Sequence, residues 1–570
     1  MKLRNYFPIL TWSRSYDLRT GIDDLIAAFI VTILLIPQAL SYALLAGMPA
    51  VTGLYASIAP LLIYALFGSS RVLVVGPAAV VSLMTASAIG DVLQPGTPGY
   101  IAAALALAVM SGMILLLMGI FRLGFLANFI SHPVVTGFMS ASALLIGAGQ
   151  LPSLLGLSVT GTDFVSLANG VLHAGPPNPV TMMLGVGAML LMVFMRYGAR
   201  LIARVLRLSR GAVSLLVKLG PVLAVVVTTL LVSWLGLEVQ GVAIVGAVPT
   251  GLPSLQPLPV DVAVYRDLAG SAVLIGVIGF VGSISMAQTL AARKRQRIDP
   301  NQELIGLGAA NIASGFTGGF PISGGFARSV VNYDVGARTP AAGAMTAVGL
   351  AIVSFYLTPW LYYLPKATLA ATIIVAASSL IEPAAFRQTW RFSKPDFTAM
   401  VATAVGTLAL GVELGIAVGV ALSLLLLLYR TSRPHCAVVG QVPGSEEFKN
   451  IARHDVITHP HIITLRMDES LYFTNARFIE DRVSALVAER PQVEHFVLMC
   501  TAVNDIDASG LDSLEAINER LRDANVTFHL SAVKGPVMDK LERTDFLRHL
   551  TGQVFFSQYE AVQSLTQSAD

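Results

Sequence analysis

The sequence predicts an all-α polytopic membrane domain of fourteen segments, followed by a small α/β domain. Of the 570 residues, 55% are hydrophobic and 12% are charged, whereas an ordinary soluble domain carries about 25% charged residues. The charge is also divided, because residues 434–570 hold 12 Lys and Arg against 20 Asp and Glu, while residues 1–433 hold 25 against 14. A basic membrane part therefore precedes an acidic part that is long enough to form a domain of its own.

Residues 1–20 lack the apolar core and small-residue cleavage site of a signal peptide, and we interpret them as a cytoplasmic N-terminal segment. Between residues 21 and 433, apolar runs recur that approach the length of about 20 residues needed to cross a bilayer. We predict spans at 22–46, 53–67, 72–89, 100–120, 124–149, 180–195, 217–235, 268–290, 304–318, 322–336, 339–358, 366–381 and, as two helices with a turn near Glu413, 396–429. The shorter pieces at 72–89, 304–318 and 322–336 are each expected to be broken by Gly or Pro. Residues 434–570 form the final domain.

Lys and Arg concentrate in four short connections between the spans, which the positive-inside rule assigns to the cytoplasm. These connections are residues 196–218, 293–297, 387–394 and 430–433. Counting fourteen crossings from a basic N-terminal segment puts all four connections on the cytoplasmic side. The sequence therefore predicts a multi-pass protein of the bacterial inner membrane, with both its N- and C-termini in the cytoplasm.

Two segments, residues 69–84 and 318–332, break the rules for spanning helices. In each, a short extended run leads through Gly or Pro into a short helix, and Pro77 is suited to the first helical turn. The free N–H groups of such a half-helix must face protein or a polar cavity, and they carry the positive end of the helix dipole. The interruption at Gly324 and Gly325 matches the interruption at Gly76 and Pro77 in kind.

The two half-helices occupy matching places, since one is the third of the first seven segments and the other is the third of the second seven. Seven is an odd number, so the two sets form inverted seven-segment repeats, and the half-helices point their N-termini at each other. Interrupted segments at matching positions of two inverted halves indicate a transporter's binding site. Two facing helix N-termini favour an anion.

Arg328 lies within the second of these interrupted segments, among apolar residues. A charge at the bilayer centre costs about 2.5–3.5 kcal/mol on insertion scales, and charges that are retained there usually serve function. We interpret the transported anion as its partner. The alternative is that Arg328 snorkels or pairs with Glu303 or another carboxylate, and the alternative for the glycines is close helix packing.

Three stretches carry a resemblance to a known family: GLYASIAPLLIYALFGSSRVLVVGPAAVVSLM at 53–84, IDPNQELIGLGAANIASGFTGGFPISGGFARSVVN at 298–332 and GARTPAAG at 336–343. They resemble the signature stretches of the sulfate permease (SulP) family of anion transporters. The resemblance covers nearly the whole chain. It implies two inverted repeats of seven segments, a cytoplasmic STAS domain, an elevator-like movement of a core domain past a gate domain, and a homodimer.

The resemblance also implies an anion pocket between the third and tenth segments. Its residues would be Gln38 and Tyr42 in the first segment, Gly76, Pro77, Ala78 and Ala79 in the third, Ser283 in the eighth, and Gly325, Phe326, Ala327, Arg328 and Ser329 in the tenth. Amide and phenol groups would donate hydrogen bonds, the two helix ends would supply positive dipoles, and Arg328 would supply charge.

One position departs from the family pattern. Many members carry a carboxylate in the eighth segment, where it is associated with proton or sodium coupling, but this chain has Gly282 at the matching place. Four other carboxylates are alternatives for this role: Glu303, Glu413, Asp23 and Asp24. All four lie toward the ends of spans, where a solvated or capping role is expected.

The final domain alternates strand-like and helical patterns, as a small sheet with helices does. Strands are predicted at 461–467, 495–500 and 526–533, and helices at 475–489, 509–523 and 535–544. The order agrees with a STAS domain, in which Ser509 falls where related anti-sigma-factor antagonists carry a phosphorylated serine. The alternative is that Asp507 or Ser509 only caps the helix that follows.

Taken together, these patterns predict a secondary active transporter of small inorganic anions, with sulfate as the first expectation. The alternatives are a bicarbonate or dicarboxylate transporter, in either case with H+ or Na+ as coupling ion, and an anion channel or sensor that signals through the STAS domain to a cytosolic partner. No Walker phosphate loop or facing nucleophile and base is evident, so we expect no enzyme activity, cofactor or metal. The basic residues form no continuous face for nucleic acid, and the expected partners are lipid and a second copy.

Overall fold

The computed structural model of the protein describes residues 7–90, 93–157, 159, 164–205, 219–247, 249–258, 261–356 and 358–567. The predicted N-terminal segment is therefore described from residue 7, and residues 206–218 of the first basic connection, with the start of the span predicted at 217–235, lie outside the described residues. The chain divides into two compact units, Met1–Ser423 and Leu424–Asp570.

The first unit is almost entirely helical. Its elements are α1 (Ile9–Trp12), α2 (Leu18–Leu45), α3 (Ala50–Phe67), β1 (Val75–Gly76), α4 (Ala79–Gly90), α5 (Pro98–Ile120), α6 (His132–Leu155), α7 (Phe164–His173), α8 (Pro179–Val205), α9 (Gly220–Leu235), α10 (Val262–Arg293), α11 (Pro300–Phe316), β2 (Ser323–Gly324), α12 (Phe326–Val335), α13 (Ala341–Tyr356), α14 (Lys366–Ser378), α15 (Pro383–Phe392), α16 (Lys394–Leu410) and α17 (Val412–Ser432), whose last turns belong to the second unit.

Within the described ranges, eight helical stretches are long and apolar enough to cross a membrane: α2, α3, α5, α6, the first part of α8, α10, α14 with α15, and α17. Three shorter apolar helices are α4, α9 and α13, and α11, α12 and α16 bring the number of segments to fourteen. The predicted fold class is confirmed, and the arrangement is consistent with two inverted seven-segment repeats that each contain a half-helix.

Sequence signals set several of the helix ends. Asp17 caps α2 by accepting a hydrogen bond from the N–H of Thr20 at 2.8 Å, and Asp299 caps α11 in the same way through Asn301 at 2.9 Å. Gly411 separates α16 from α17 with a φ of +89°, which a residue without a Cβ adopts readily. The turn predicted near Glu413 lies at this glycine.

Three features of the helices differ from the expectation. Helix α6 begins at His132 and not near residue 124, because residues Leu123–Phe129 form a 3-10 helix. Pro77 precedes the first residue of α4 by two positions, so it does not lie within the first helical turn. Helix α11 is unbroken, since Gly308 packs against the backbone of α5 at Gly112 and does not interrupt its own helix.

Packing sorts the segments into two groups. Helices α2, α3, α4, α5, α10, α11, α12 and α13 pack mainly on one another, and helices α6, α8, α9, α14, α16 and α17 form the other group. The groups meet where α2 and α4 face α6 and α14. Each group combines segments from both sequence halves, and the two half-helices lie in the first group.

The second unit contains a six-stranded sheet in the order β4, β3, β5, β6, β7, β8. Its elements are β3 (Cys436–Gln441), β4 (Phe448–Asn450), β5 (Ile462–Met467), α18 (Ala476–Ala488), β6 (His495–Met499), α19 (Ala508–Asp523), β7 (Thr527–Ser531), α20 (Gly535–Leu541), α21 (Phe546–His549), β8 (Val554–Phe555) and α22 (Gln558–Gln567). Strands β5 to β8 are parallel, and β3 is antiparallel to both of its neighbours.

Candidate functional site

The two interrupted segments meet at a short antiparallel pairing of β1 with β2. Val75 lies opposite Gly324, and Gly76 lies opposite Ser323. Each two-residue strand leads directly into its half-helix, β1 into α4 and β2 into α12. The pairing therefore holds the first turns of the two half-helices side by side in the same part of the molecule.

Arg328 stabilises the place where β1, β2 and the first turns of α4 and α12 meet, which we call the crossing. Its Nε donates to the carbonyl of Val74 at 2.9 Å, one Nη donates to the carbonyl of Pro77 at 2.5 Å, and the other donates to the carbonyl of Ser323 at 3.0 Å. The side chain is 2% exposed. The alternative of an ion pair with Glu303 is wrong, because all three of these acceptors are neutral carbonyls. No carboxylate among the described residues therefore pairs with the positive charge at the crossing.

Hydroxyl groups hold the two strands from either side. The Oγ of Ser329 accepts a hydrogen bond from the N–H of Val74 at 2.9 Å, and the Oγ of Ser283 accepts one from the N–H of Gly324 at 2.8 Å. The Asn332 side chain donates to the carbonyl of Val72 at 3.0 Å. Ser283 and Ser329 thus position the site through the backbone, and both are fully buried.

The first turns of the half-helices leave their backbone donors free. In α4 the first helical hydrogen bond runs from the N–H of Ser82 to the carbonyl of Ala78, and in α12 it runs from Ser329 to Gly325. The N–H groups of residues 79–81 and 326–328 have no protein acceptor within the described ranges, as the geometry of a helix start requires. Six donors with the positive ends of two dipoles therefore lie close together.

The residues that begin the two half-helices border open space. Phe326 is 60% exposed and Ala327 is exposed, while Ala78 and Ala79 are half-buried. Gly282 lies next to Ser283 on α10, is exposed, and has no atom within 4 Å of the position where a Cβ would stand. The first turns are therefore accessible to a small ligand, whereas Gly76 and Pro77 are buried.

Helix α2 supplies the two side chains predicted for this site. Tyr42 is 9% exposed, packs in one cluster with Ile146, Ile373 and the half-buried Ala79, and lies within electrostatic reach of Arg328. Gln38 lies one helical turn earlier on the same face and is half-buried. Its amide forms no hydrogen bond to any described residue, so it is available to a ligand.

The four carboxylates considered for coupling have distinct surroundings. Glu303 is fully buried and accepts hydrogen bonds from Tyr64 and from the N–H groups of Ser69 and Ser70, at 2.8 to 2.9 Å. It was expected near a span end, and it caps the backbone that leads into β1. Asp24 accepts two N–H groups, those of residues 338 and 339, and Asp23 forms an ion pair with Arg338 at 2.7 Å.

Glu413 differs from the other three carboxylates. Its Oε1 is buried and has no hydrogen-bond partner within the described residues. The residue lies in the first turn of α17, directly after the Gly411 turn. Glu413 is therefore the member of this set whose carboxylate is not already committed to a structural contact.

In the second unit, Asp507 and Ser509 lie at the start of α19. Asp507 is the N-cap, since its carboxylate accepts hydrogen bonds from the N–H groups of Gly510 at 2.8 Å and Phe473 at 2.9 Å. Ser509 is the second residue of the helix and is half-buried. A phosphate on Ser509 would lie at a helix N-terminus, where negative charge is favoured.

Two groups of membrane helices, with two half-helices that cross between inverted repeats, define a multi-pass membrane transporter. The chain belongs to the sulfate permease family: the profile of that family matches residues 22–403, and a STAS domain matches residues 453–561. The members of this family are transporters and not enzymes. The identification was predicted from the stretches around the two half-helices and is confirmed.

Individual relatives agree with this assignment along the whole chain. The sequence is 34% identical to a probable sulfate transporter of Mycobacterium tuberculosis, with 99% of each chain covered. It is 33% identical to probable sulfate transporter 4.2 of Arabidopsis thaliana, with 98% of this chain and 83% of the relative covered. The structure of SLC26A9 has the same fold, with a TM-score of 0.88 at 23% identity over 100% of this chain and 94% of that one.

Proposed function

We propose that the protein is a secondary active transporter that carries a small inorganic anion, sulfate in the first place, across a bacterial inner membrane. The observation that carries this proposal is the buried guanidinium of Arg328, whose three acceptors are neutral carbonyls. An uncompensated cation beside two helix N-termini is stabilised when an anion binds. The names of the relatives from Mycobacterium tuberculosis and Arabidopsis thaliana support sulfate as the anion.

The proposed pocket uses the predicted residues in three ways. The free N–H groups of Ala79, Phe326 and Ala327 face the anion, Gln38 and Tyr42 add side-chain donors from α2, and Arg328 supplies charge from behind the crossing. Gly76, Pro77, Ala78, Gly325, Ser283 and Ser329 hold the backbone in place. Polar donors that are fixed before binding lose little entropy when the ligand arrives.

An elevator mechanism fits the two-group packing. The half-helices belong to one group, and Tyr42, Ala79 and Leu83 of that group contact Ala143 and Ile373 of the other. This contact is apolar, and the buried hydrogen bond from Oγ of Ser41 on α2 to the carbonyl of Leu369 on α14 is long, at 3.5 Å. Sliding of the first group along the second therefore costs little hydrogen bonding. We propose that the sliding group carries the anion, that both termini and residues 434–570 lie in the cytoplasm, and that two copies form a dimer.

Coupling and regulation are extensions of the same proposal. Because Gly282 replaces the carboxylate of many relatives, H+ or Na+ coupling requires another group, and Glu413 is the carboxylate with an unpartnered buried oxygen. In the second unit, phosphorylation of Ser509 would change the charge at the start of α19 and regulate a cytosolic partner. Asp507 already caps this helix, so Ser509 is not needed for capping.

The test is uptake of radiolabelled sulfate into proteoliposomes under separately imposed proton and sodium gradients. Bicarbonate, chloride and short dicarboxylates serve as unlabelled competitors. Saturable sulfate uptake that is lost in Arg328→Gln and kept in Arg293→Gln, an exposed arginine at the end of α10, is the expected result. If only bicarbonate or a dicarboxylate were taken up, that anion and not sulfate would be the substrate. An ion conductance without saturation would show that the protein is a channel and not a transporter.

A further inference from the structure

A second concavity of the first unit, of about 570 Å³, lies apart from the half-helix crossing. It forms where α1, the residues that follow α3 and the connection between α10 and α11 come together. Trp12, Ser69, Arg71, Gln296, Arg297 and Asp299 are among the residues that line it. The positive-inside rule assigns this face to the cytoplasm, because the connection 293–297 is one of the basic ones.

Two guanidinium groups in this pocket indicate that it binds a ligand. Arg71 and Arg297 come from different elements, yet both line the same concavity. Both are exposed, and neither forms a hydrogen bond or an ion pair with another described residue. Lys294 adds to the positive field, since it lies within electrostatic reach of Arg71 and Arg338. Burial, opposed by Asp24 and assisted by these two arginines, lowers the pKa of the Lys294 ammonium.

The neighbouring carboxylates offset the charge of the two arginines only in part, because Asp299 is the one acidic residue among the described residues that line the pocket. Asp299 is engaged as the cap of α11, where it accepts the N–H of Asn301 at 2.9 Å. Asp23 pairs with Arg338, and Asp24 accepts the N–H groups of Arg338 and Thr339. Two arginines and one aspartate give the described lining residues a net charge of +1, which an external anion can balance.

We propose that this pocket binds a phosphate group, either free inorganic phosphate or the headgroup of an anionic phospholipid. Arginine is suited to this ligand because its planar fork can donate two parallel hydrogen bonds to phosphate oxygens. Trp12 lines the same pocket, and tryptophan side chains are enriched at the level of the lipid headgroups. At the membrane surface, the two arginines fit one phosphate group, and the indole fits the apolar part of a phospholipid that carries it.

The pocket is connected to the transport site by a short and rigid piece of backbone. Ser69 lies in the pocket and is held by Glu303, through its N–H at 2.8 Å and its Oγ at 2.7 Å. Arg71 follows two residues later, and Val72 is held by Asn332 of the second half-helix. A phosphate on Arg71 therefore braces the segment that continues into β1, and it regulates transport from outside the transport pocket.

The experiment uses the full chain with Trp12 as its one tryptophan, after Trp234, Trp360 and Trp390, all exposed, are changed to Phe. Trp12 fluorescence is measured in detergent during titration with inorganic phosphate, and again in nanodiscs of phosphatidylcholine with and without phosphatidylglycerol. A saturable change in one of these arms is expected. The double variant Arg71→Gln/Arg297→Gln should weaken it at least about tenfold, while Arg295→Gln, in the same connection but outside the pocket lining, should leave it unchanged.

The two arms separate the sources of the phosphate. Saturation with inorganic phosphate assigns the pocket to a free anion, and a change seen only with phosphatidylglycerol assigns it to a lipid headgroup. No change in either arm, a change that persists in the double variant, or an equal response to sulfate would overturn the proposal. The Arg328→Gln background should keep the response, so loss of the transport site and loss of this pocket are distinguishable.

Discussion

The Nε of Arg328 and the carbonyl oxygen of Val74 lie 2.9 Å apart, and the same carbonyl accepts the N–H of Gly325 at 3.0 Å. One carbonyl of the first half thus receives a side-chain and a backbone donor from the second half. The remaining guanidinium nitrogens reach Pro77 and Ser323, so the fork of a single arginine fixes the relative position of both half-helix starts. Arg328 therefore both holds the two half-helix starts in position and supplies positive charge at the crossing.

Arg328→Lys separates these two roles. Lysine keeps the charge, but it lacks the planar fork that reaches three carbonyls from one position. We expect sulfate uptake and sulfate affinity to fall at least about tenfold, and Arg328→Gln to fall further because the charge is lost as well. Uptake in proteoliposomes and calorimetric binding are the measurements, with Arg293→Lys as the matched control. Wild-type uptake in Arg328→Lys would show that charge alone is sufficient.

Gly325→Ala tests the packing of the same guanidinium. A Cβ at position 325 would clash with Nε and Cζ of Arg328, which the three carbonyls prevent from moving away. Overpacking of this kind costs about 1–3 kcal/mol, so we expect a lower unfolding temperature and loss of uptake. Gly282→Ala is the control, because its Cβ meets no atom within 4 Å. Equal stability and uptake for the two variants would contradict the proposed rigidity of the crossing.

Local signals were sufficient to predict the half-helices. Gly76, Pro77, Gly324 and Gly325 interrupt apolar runs, and the interruption is visible without knowledge of any partner. The contacts of Arg328 could not be predicted in the same way, because its acceptors at Val74 and Pro77 are about 250 residues away along the chain. A lone buried cation suggests an ionic partner, and sequence patterns do not show that carbonyls can serve in its place.

Glu303 and α11 are two further features whose tertiary contacts could not be predicted from the sequence. The donors at Ser69 and Ser70 precede Glu303 by more than 230 residues, so its capping role depends on a contact that periodicity does not reveal. The glycines of α11 suggested a broken helix. In the structure, Gly308 and Gly112 of α5 allow two helix backbones to approach closely, which is a tertiary requirement.

Gly282→Glu should change how the site responds to pH. The open space at position 282 accommodates the side chain, and its neighbour Ser283 contacts the crossing through the N–H of Gly324, so we expect the new carboxylate to reach the site. When ionised, its carboxylate competes with the anion for Arg328 and for the free N–H groups. We expect sulfate uptake to weaken at neutral pH and to recover as the pH falls and the carboxyl becomes protonated.

The matched control for this experiment is Gly282→Gln, which has the same size and no charge. Initial rates of sulfate uptake are measured for both variants and for the wild type over a range of pH, with the same proton gradient at each point. A Glu variant whose uptake follows the Gln variant at every pH would show that position 282 does not face the bound anion.

The second unit contains a pair of histidines on neighbouring parallel strands, the buried His529 and the half-buried His495. Nδ1 of His529 accepts the N–H of Gln553 at 3.2 Å, so we assign the ring proton to Nε2, which donates to Nδ1 of His495 at 3.2 Å. Burial, with a smaller contribution from His495, lowers the pKa of His529 to about 4. Burial also lowers the pKa of His495, against the influence of Glu494.

Acidification should therefore destabilise the C-terminal edge of this sheet. A histidine in the unfolded chain has a pKa near 6.5, whereas the pKa of His529 in the folded protein is about 4. The stability that neutral His529 contributes to the folded state is therefore fully present above pH 6.5 and is lost as the pH falls toward about 4. The loss from His529 reaches about 3 kcal/mol at most. Hydrogen exchange of the full chain, corrected for the intrinsic pH dependence, should show lower protection of β7 and β8 at pH 5 than at pH 7.5. His529→Gln, whose amide oxygen can still accept the N–H of Gln553, should remove most of this difference, and equal protection of the wild type at both pH values would contradict the assignment.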